Sequence, residues 1–148
     1  MRTSYVMMAV VVCGALLNLS CDESLSELTG PTPNLQPTFS AIQRDIFDAR
    51  DSSGRPACTS CHTDAGRNPA GGTNLRHELA YASLINVPSR KPGMMRVLPG
   101  DPENSYILHK IEGRSDIVGA RMPLGGPYLT DGQIAVIRRW IELGAPNN

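Results

Sequence analysis

Two cysteines and a histidine are spaced so that together they could bind a group covalently. Two residues separate Cys58 from Cys61, and His62 follows directly. Two thiols about one turn apart on one side of the chain can each add across one vinyl group of the same porphyrin. The next residue would then lie under the iron and could donate an imidazole nitrogen to it. C-x-x-C-H is the attachment signature of c-type haem. We therefore expect one covalent haem c, held by Cys58 and Cys61, with His62 as an axial iron ligand.

Two other chemistries also use closely spaced cysteines. A structural zinc site needs four ligands, and His77 and His109 are too distant and too widely separated to complete a Cys₂His₂ finger. A thioredoxin-like redox pair stands beside a βαβ pattern, and no strand-rich stretch precedes Cys58. Haem attachment is the preferred interpretation, with metal or dithiol chemistry as the alternatives.

A second axial ligand would have to come from elsewhere in the chain. Met122 is the best candidate, because Pro123 and Pro127 stiffen its loop and the loop is far enough from His62 for the chain to circle a porphyrin. A methionine that merely fills a core gap usually lies on a periodic helix face, and Met122 does not. The alternatives are an open site or one of four rival residues: Met94, Met95, His77 and His109. We expect the two histidines to lie at the surface or against loops.

The N-terminus predicts export. Arg2 precedes an apolar run of twelve residues, 6–17, which is too short to span a bilayer and is typical of a signal peptide. We expect residues 1–20 to be that signal peptide. Cys13 lies inside the apolar run and would be discarded with it, which leaves no cysteine for a disulfide.

The residues around Cys21 resemble the lipobox of bacterial lipoproteins, in which the signal is cleaved before a cysteine that then carries lipid. Ser20 fits that pattern, whereas Asn18 and Leu19 depart from it. We expect a lipid on Cys21. The alternatives are cleavage by an ordinary signal peptidase and retention of the segment as an anchor.

The amino-acid composition limits the classes of binding partner. Lys and Arg number fourteen, and so do Asp and Glu. Loss of Arg2 with the signal peptide leaves a formal charge of about −1, and no basic stripe suggests nucleic acid. Residues 21–37 contain three prolines and few apolar side chains. They are expected to form the lipid-anchor cysteine and a flexible tether to a domain over 38–148.

Helical patterns dominate this domain, and strand signals are weak. Apolar residues at helical spacing predict helices over 38–49 and 76–86. Asp101 as N-cap and Pro102 at the first helical position predict a third helix, which runs to about Glu112.

The last helix has the clearest signals. Thr130 and Gln133 form a capping box for a helix over 131–143. Its apolar stripe consists of Ile134, Ile137, Trp140 and Ile141. Gly144 is the expected C-terminal cap residue. The chain is therefore expected to be all-α, with short helices and long loops packed around one porphyrin.

These features together resemble a class I monohaem cytochrome c domain over 38–148, and they are similar to bacterial exported planctomycete-type cytochrome c domains. The resemblance rests on the helix before Cys58-x-x-Cys61-His62, the Met122-Pro123 loop and the helix that carries Trp140. It implies a cytochrome c-like fold, Met122 as distal ligand, and contact between the first and last helices beside the haem edge. The stretch 63–101 aligns with no standard cytochrome helix.

The function implied is one-electron transfer with His62 and Met122 as iron ligands, and no enzymatic activity, because both axial positions are filled. The expected location is the periplasm, with the protein tethered by Cys21 to the inner or the outer membrane and a redox protein as its partner. Two alternatives stay open: a five-coordinate haem sensor or peroxidase-like enzyme, and a haem-bearing relay subunit of a larger exported complex.

Overall fold

A computed structural model describes residues 35–148. The predicted signal peptide, Cys21 and most of the tether lie outside the described residues. Four α-helices occur in the described part: α1 (Phe39–Ile42), α2 (Ala80–Leu84), α3 (Tyr106–Glu112) and α4 (Asp131–Glu142). Helix accounts for 34% of this part and strand for 4%, in agreement with the expected all-α class. None of these helices is long and apolar enough to cross a membrane.

Three shorter helical segments complete the architecture. A π-helical segment, Gln43–Phe47, continues α1, and 3₁₀ turns occupy Cys58–Ser60 and Ala70–Gly72. The predicted helix over 38–49 is therefore present but changes its winding after Ile42. The Asp48 N–H donates to the Gln43 carbonyl five residues earlier, at 2.9 Å, which is the hydrogen bond that defines a π-turn.

The N-terminal helical unit buries the side that the sequence predicts. Thr38 is its N-cap, and the Thr38 hydroxyl accepts a hydrogen bond from the Ala41 N–H at 3.2 Å. The core contains all four predicted apolar residues: Phe39, Ile42, Ile46 and Phe47. It also takes in the polar residue Gln43, whose Nε2 donates to the Leu75 carbonyl at 2.8 Å.

The last helix has the predicted beginning and end. The Gln133 N–H donates to the Thr130 hydroxyl at 3.2 Å, and the Thr130 N–H donates to Gln133 Oε1 at 3.1 Å, so the capping box is confirmed. All four residues of the predicted stripe are buried: Ile134, Ile137, Trp140 and Ile141. After Leu143, the backbone of Gly144 turns with φ +91°, a conformation that favours glycine and ends the helix.

Aromatic contacts join α1 to α4. The rings of Phe39 and Trp140 lie 5.5 Å apart, and Tyr81 meets Phe39 edge-on at 5.1 Å. The Trp140 indole N–H donates to the Pro146 carbonyl at 2.9 Å, and the Tyr81 hydroxyl donates to the Ala145 carbonyl at 3.0 Å. The first and last helices therefore pack together, as expected, around aromatic rings whose polar atoms are satisfied.

The second helix is shorter than the predicted 76–86. It spans only Ala80–Leu84, has no side-chain cap, and is followed by Asn86 at φ +54°, which breaks helical geometry. The next residues pair with later ones in isolated bridges, such as Ile85 with Val97.

The third helix starts four residues later than Pro102, at Tyr106. Asp101 caps a separate turn instead, since its carboxylate accepts from the Asn104 N–H at 3.1 Å. The Ser105 hydroxyl donates to the Asp101 carbonyl at 2.8 Å and accepts from the Leu98 N–H at 2.9 Å. This buried serine thus ties the turn to the preceding loop and separates it from α3.

Candidate functional site

The C-x-x-C-H motif forms one tight turn. The N–H groups of Cys61 and His62 both donate to the Cys58 carbonyl, at 3.2 and 3.0 Å. The Cys58 side chain is half-buried and that of Cys61 is exposed, and both thiols are free. Two unpaired sulfurs on a single turn match the requirement for two thioether bonds to one porphyrin.

The end of the π-helical segment holds this turn in place. The last carbonyls of a helical segment have no partner within it, and here they accept from the motif region. The Ile46 carbonyl accepts from Arg55 Nη1 at 3.2 Å and lies 3.7 Å from the Cys58 sulfur. The Phe47 carbonyl accepts from the Thr59 hydroxyl at 3.4 Å. The motif therefore docks on the C-terminal end of the π-helical segment.

Arg55 supports this arrangement from inside the protein, a role that the sequence did not indicate. Its side chain is fully buried, and its Nε lies 2.9 Å from Asp51 Oδ2. Asp51 also accepts hydrogen bonds from Ser53, which is the main reason that its pKa falls to about 2, and Arg55 lowers the pKa further. The only sequence signal is the i, i+4 spacing of Asp51 and Arg55. In a loop that contains glycine, such a pair is typical of exposed charged residues.

Burial sets the protonation of the Cys58 thiol. Desolvation raises the pKa of Cys58, and the nearby positive charge of Arg55 offsets part of that rise. Burial disfavours the thiolate. The sulfur is therefore a neutral thiol near pH 7.

His62 is oriented by the chain that follows it. Its Nδ1 lies 3.2 Å from the Thr73 carbonyl, and its own carbonyl accepts from the Leu75 N–H at 2.8 Å. Burial is the main cause of a lowered pKa for His62, and the positive charges of Lys110 and Arg96 lower it further. A neutral imidazole that donates from Nδ1 to a backbone carbonyl leaves the lone pair of Nε2 free for a metal.

Met122 contacts the same hydrophobic core as the motif. Its side chain is half-buried and packs against the central apolar cluster, as does the side chain of Cys58. The Met122 N–H donates to the Lys110 carbonyl at 2.8 Å. A half-buried thioether on a loop is in keeping with a ligand position, although this packing also suits a methionine that fills a core margin.

Helix α3 holds the Met122 loop through several hydrogen bonds. The Lys110 ammonium donates to the carbonyls of Val118, at 3.0 Å, and Ala120. Arg121 Nε donates to the Ile111 carbonyl at 2.8 Å, and its guanidinium stacks 4.0 Å from the Tyr128 ring centroid. Helix α3 therefore holds the part of the loop that precedes Met122, and the contact between Arg121 and Tyr128 links it to the part that follows.

The rival ligands have other surroundings. His109 contacts loop residues, as expected, but it is buried and not at the surface: Nδ1 lies 3.1 Å from Asp116 and Nε2 2.8 Å from the Glu103 carbonyl. Both of its nitrogens are therefore engaged within the protein. His77 is exposed. Met94 and Met95 are half-buried in the paired loop before α3.

The residues of the motif turn fit a covalent haem. The turn supplies two unpaired thiols and an imidazole oriented through Nδ1, and the loop after α3 supplies the half-buried thioether of Met122. Across residues 35–148, no three His, Cys, Asp or Glu side chains form a group that could hold a bare metal ion.

Comparisons of the chain with protein-family models, with curated proteins and with solved structures give no match.

Proposed function

We propose that this protein transfers single electrons through one haem c in a class I cytochrome c-like domain. The observation that carries the proposal is the motif turn itself: Cys58 and Cys61 are free thiols on one turn, and the Thr73 carbonyl orients the imidazole of the adjacent His62 through Nδ1. We further propose Met122 as the second axial ligand, because its loop is braced against the same core.

A bound haem would supply the Fe(III)/Fe(II) couple. The residues of the chain would set the position of the haem and its reduction potential. Cys58 and Cys61 would attach it, and His62 would donate an imidazole nitrogen. The Met122 thioether is a soft ligand that favours Fe(II) and raises the reduction potential. With both axial positions filled by protein there is no place for a substrate, so we propose a carrier and not an enzyme.

The proposed setting is the periplasmic face of a bacterial membrane, with Cys21 lipidated and residues 22–37 as tether. The proposed partner is a redox protein, and no nucleic acid is involved. The mature charge of about −1 favours no strongly charged partner surface.

The test begins with holoprotein produced in a host that matures c-type cytochromes. Its mass should exceed that of the polypeptide by one haem, and denatured protein should keep its haem on a gel. The ferric form should show the weak near-infrared band of methionine–iron ligation. Release of the haem into acidified organic solvent would overturn the proposal.

Met122→Ala tests the second ligand, with Met95→Ala as the matched control. Met122→Ala should abolish the near-infrared band, lower the potential by on the order of 100 mV, and allow carbon monoxide to bind the ferrous form. Met95→Ala should leave all three properties unchanged. Rapid carbon monoxide binding by the wild type would favour the five-coordinate sensor or enzyme instead.

A further inference from the structure

A second feature of the site is a positive charge held in a fixed position. Arg96 Nη1 donates to the Ser83 carbonyl at 2.7 Å and lies 3.1 Å from the Ser83 hydroxyl. The side chain is half-buried, and burial lowers its pKa. An arginine nonetheless stays protonated at neutral pH. The guanidinium is thus a partly desolvated cation whose orientation is set by α2.

This cation flanks the short stretch that orients His62. A Cβ placed on Gly72 would lie 3.6 Å from Arg96 Nη2, so the guanidinium approaches the Gly72 backbone closely. On the other side of Thr73, the Asn74 N–H donates to the Ser83 hydroxyl that also contacts Arg96, at 2.9 Å. Thr73 itself bonds His62 Nδ1. Arg96 therefore stands beside the proposed haem-binding turn.

No carboxylate in the described part of the chain neutralises this charge. None of the ion pairs among residues 35–148 involves Arg96. Its Nε and Nη2 also make no hydrogen bond within that part, because both of its bonds to Ser83 come from Nη1. The Nε and Nη2 donors of Arg96 are therefore available to an anionic group that approaches Gly72 and Thr73.

We propose that Arg96 binds a propionate carboxylate of the haem attached at Cys58 and Cys61. The inference rests on the proposed function. Propionates are the anionic groups that a haem carries, and a guanidinium fork matches a carboxylate with two parallel N–H···O bonds. This gives a role to part of the stretch 63–101, for which the resemblance to cytochromes offers none.

The test compares holoproteins of the wild type, Arg96→Gln and Arg96→Lys. The measured quantity is the pH at which the midpoint potential begins to depend on pH as a propionate protonates. An adjacent cation lowers a carboxyl pKa by about one to three units. Arg96→Gln should therefore move this pH upward by about one to three units, and Arg96→Lys should move it less. Arg96→Gln should also shift the propionate bending band in resonance Raman spectra.

Arg139→Gln is the control, because it removes the same charge from α4, where Arg139 pairs with Glu142. It should move neither the titration nor the Raman band. If Arg96→Gln keeps covalent haem and the near-infrared band but shifts neither readout, the propionate assignment is overturned and electron transfer stands. If Arg96→Gln does not accumulate, Arg96→Met takes its place, and an Arg96→Met holoprotein with the wild-type Raman band and titration overturns the assignment equally. Wild-type protein without covalent haem overturns both proposals.

Discussion

The backbone N–H of Met122 donates a hydrogen bond to the carbonyl of Lys110, with 2.8 Å between nitrogen and oxygen. Lys110 lies in the last turn of α3, where carbonyl groups have no partner within the helix. The next carbonyl, that of Ile111, accepts from the Arg121 side chain. The loop that carries the proposed ligand is therefore assembled on the open end of a short helix. Movement of Met122 requires these bonds to break.

Lys110→Met should loosen the Met122 loop. The substitution removes the ammonium bonds to the carbonyls of Val118 and Ala120 and keeps the aliphatic stem and the backbone bond to Met122. Two charge-assisted bonds at a partly exposed site should together contribute about 1.4 kcal/mol, after allowance for solvent. Exogenous imidazole, which competes with Met122 for ferric iron, should then bind about tenfold more tightly.

A titration that follows loss of the near-infrared band measures this affinity. Arg44→Met is the control, because Arg44 is exposed and, among residues 35–148, pairs only with its neighbour Asp45. An unchanged imidazole affinity in Lys110→Met would show that these two bonds do not restrain the loop.

Asp51→Asn should destabilise the domain strongly. It takes away the carboxylate that pairs with the fully buried Arg55, and a buried charge that loses its partner costs about 3 kcal/mol. Urea unfolding at neutral pH, followed by haem absorbance and circular dichroism, gives the change in the free energy of unfolding. Ser53→Ala is the control, since it removes a bond to Asp51 but leaves the ion pair in place, and it should cost less.

The double variant Asp51→Asn/Arg55→Met tests the reason for that loss. If the cost comes from an uncompensated buried cation, removal of the cation as well should recover part of the stability. Purely additive losses would mean that Asp51 acts through its bonds to the turn backbone, such as that from the Arg55 N–H at 3.1 Å.

The sequence predicts the two terminal helices well because their signals are local. Thr130 and Gln133 form a capping box by spacing alone, and Trp140 lies on a continuous apolar stripe. The motif turn is equally local, since the N–H groups of Cys61 and His62 both bond the Cys58 carbonyl. Each of these features can be read without knowledge of the remaining chain.

The features that the sequence does not predict depend on contacts between residues that are not neighbours in the chain. The Ser105 hydroxyl forms hydrogen bonds with the backbone of Leu98 and Asp101. These bonds place the start of α3 after Ser105, whereas Pro102 had predicted an earlier start. Arg55 and His109 look like surface residues by type, yet both are buried because specific carboxylates, those of Asp51 and Asp116, pair with them. Residue type gives burial only on average.

Cys21→Ser tests the proposed anchor. Without the thiol no lipid can be attached, so the haem domain should leave the membrane fraction and appear in the soluble periplasmic fraction. Its absorption spectrum should not change, because the role proposed for residues 22–37 is only that of a tether. Fractionation and mass spectrometry of the N-terminus provide the measurement, and Ser20→Ala, which keeps a small residue before the cysteine, is the control. Wild-type protein that is already soluble and begins at another residue would contradict the lipid anchor.

Acid should destabilise the loop that follows α3, because protonation removes the negative charge of Asp116. The pKa of Asp116 falls from 3.8 to about 2, chiefly because Lys91 donates to the carboxylate and also because His109 does, while desolvation opposes the shift. A carboxyl whose pKa is lower in the folded state stabilises that state when ionised. This contribution is therefore present above pH 4 and is lost as the pH falls from about 4 to about 2.

Asp116→Asn should remove that contribution at every pH. The variant should be less stable than the wild type at pH 6, and most of the difference should be lost by pH 2, because the carboxyl in the folded wild type is then about half protonated. Urea unfolding at several pH values measures this convergence, and the near-infrared band reports whether the Met122 loop opens first. Asp45→Asn is the control, since within the described part of the chain Asp45 pairs only with the exposed Arg44. A stability gap that stays constant from pH 6 to pH 2 would show that Asp116 acts through packing or neutral hydrogen bonds, and not through its charge.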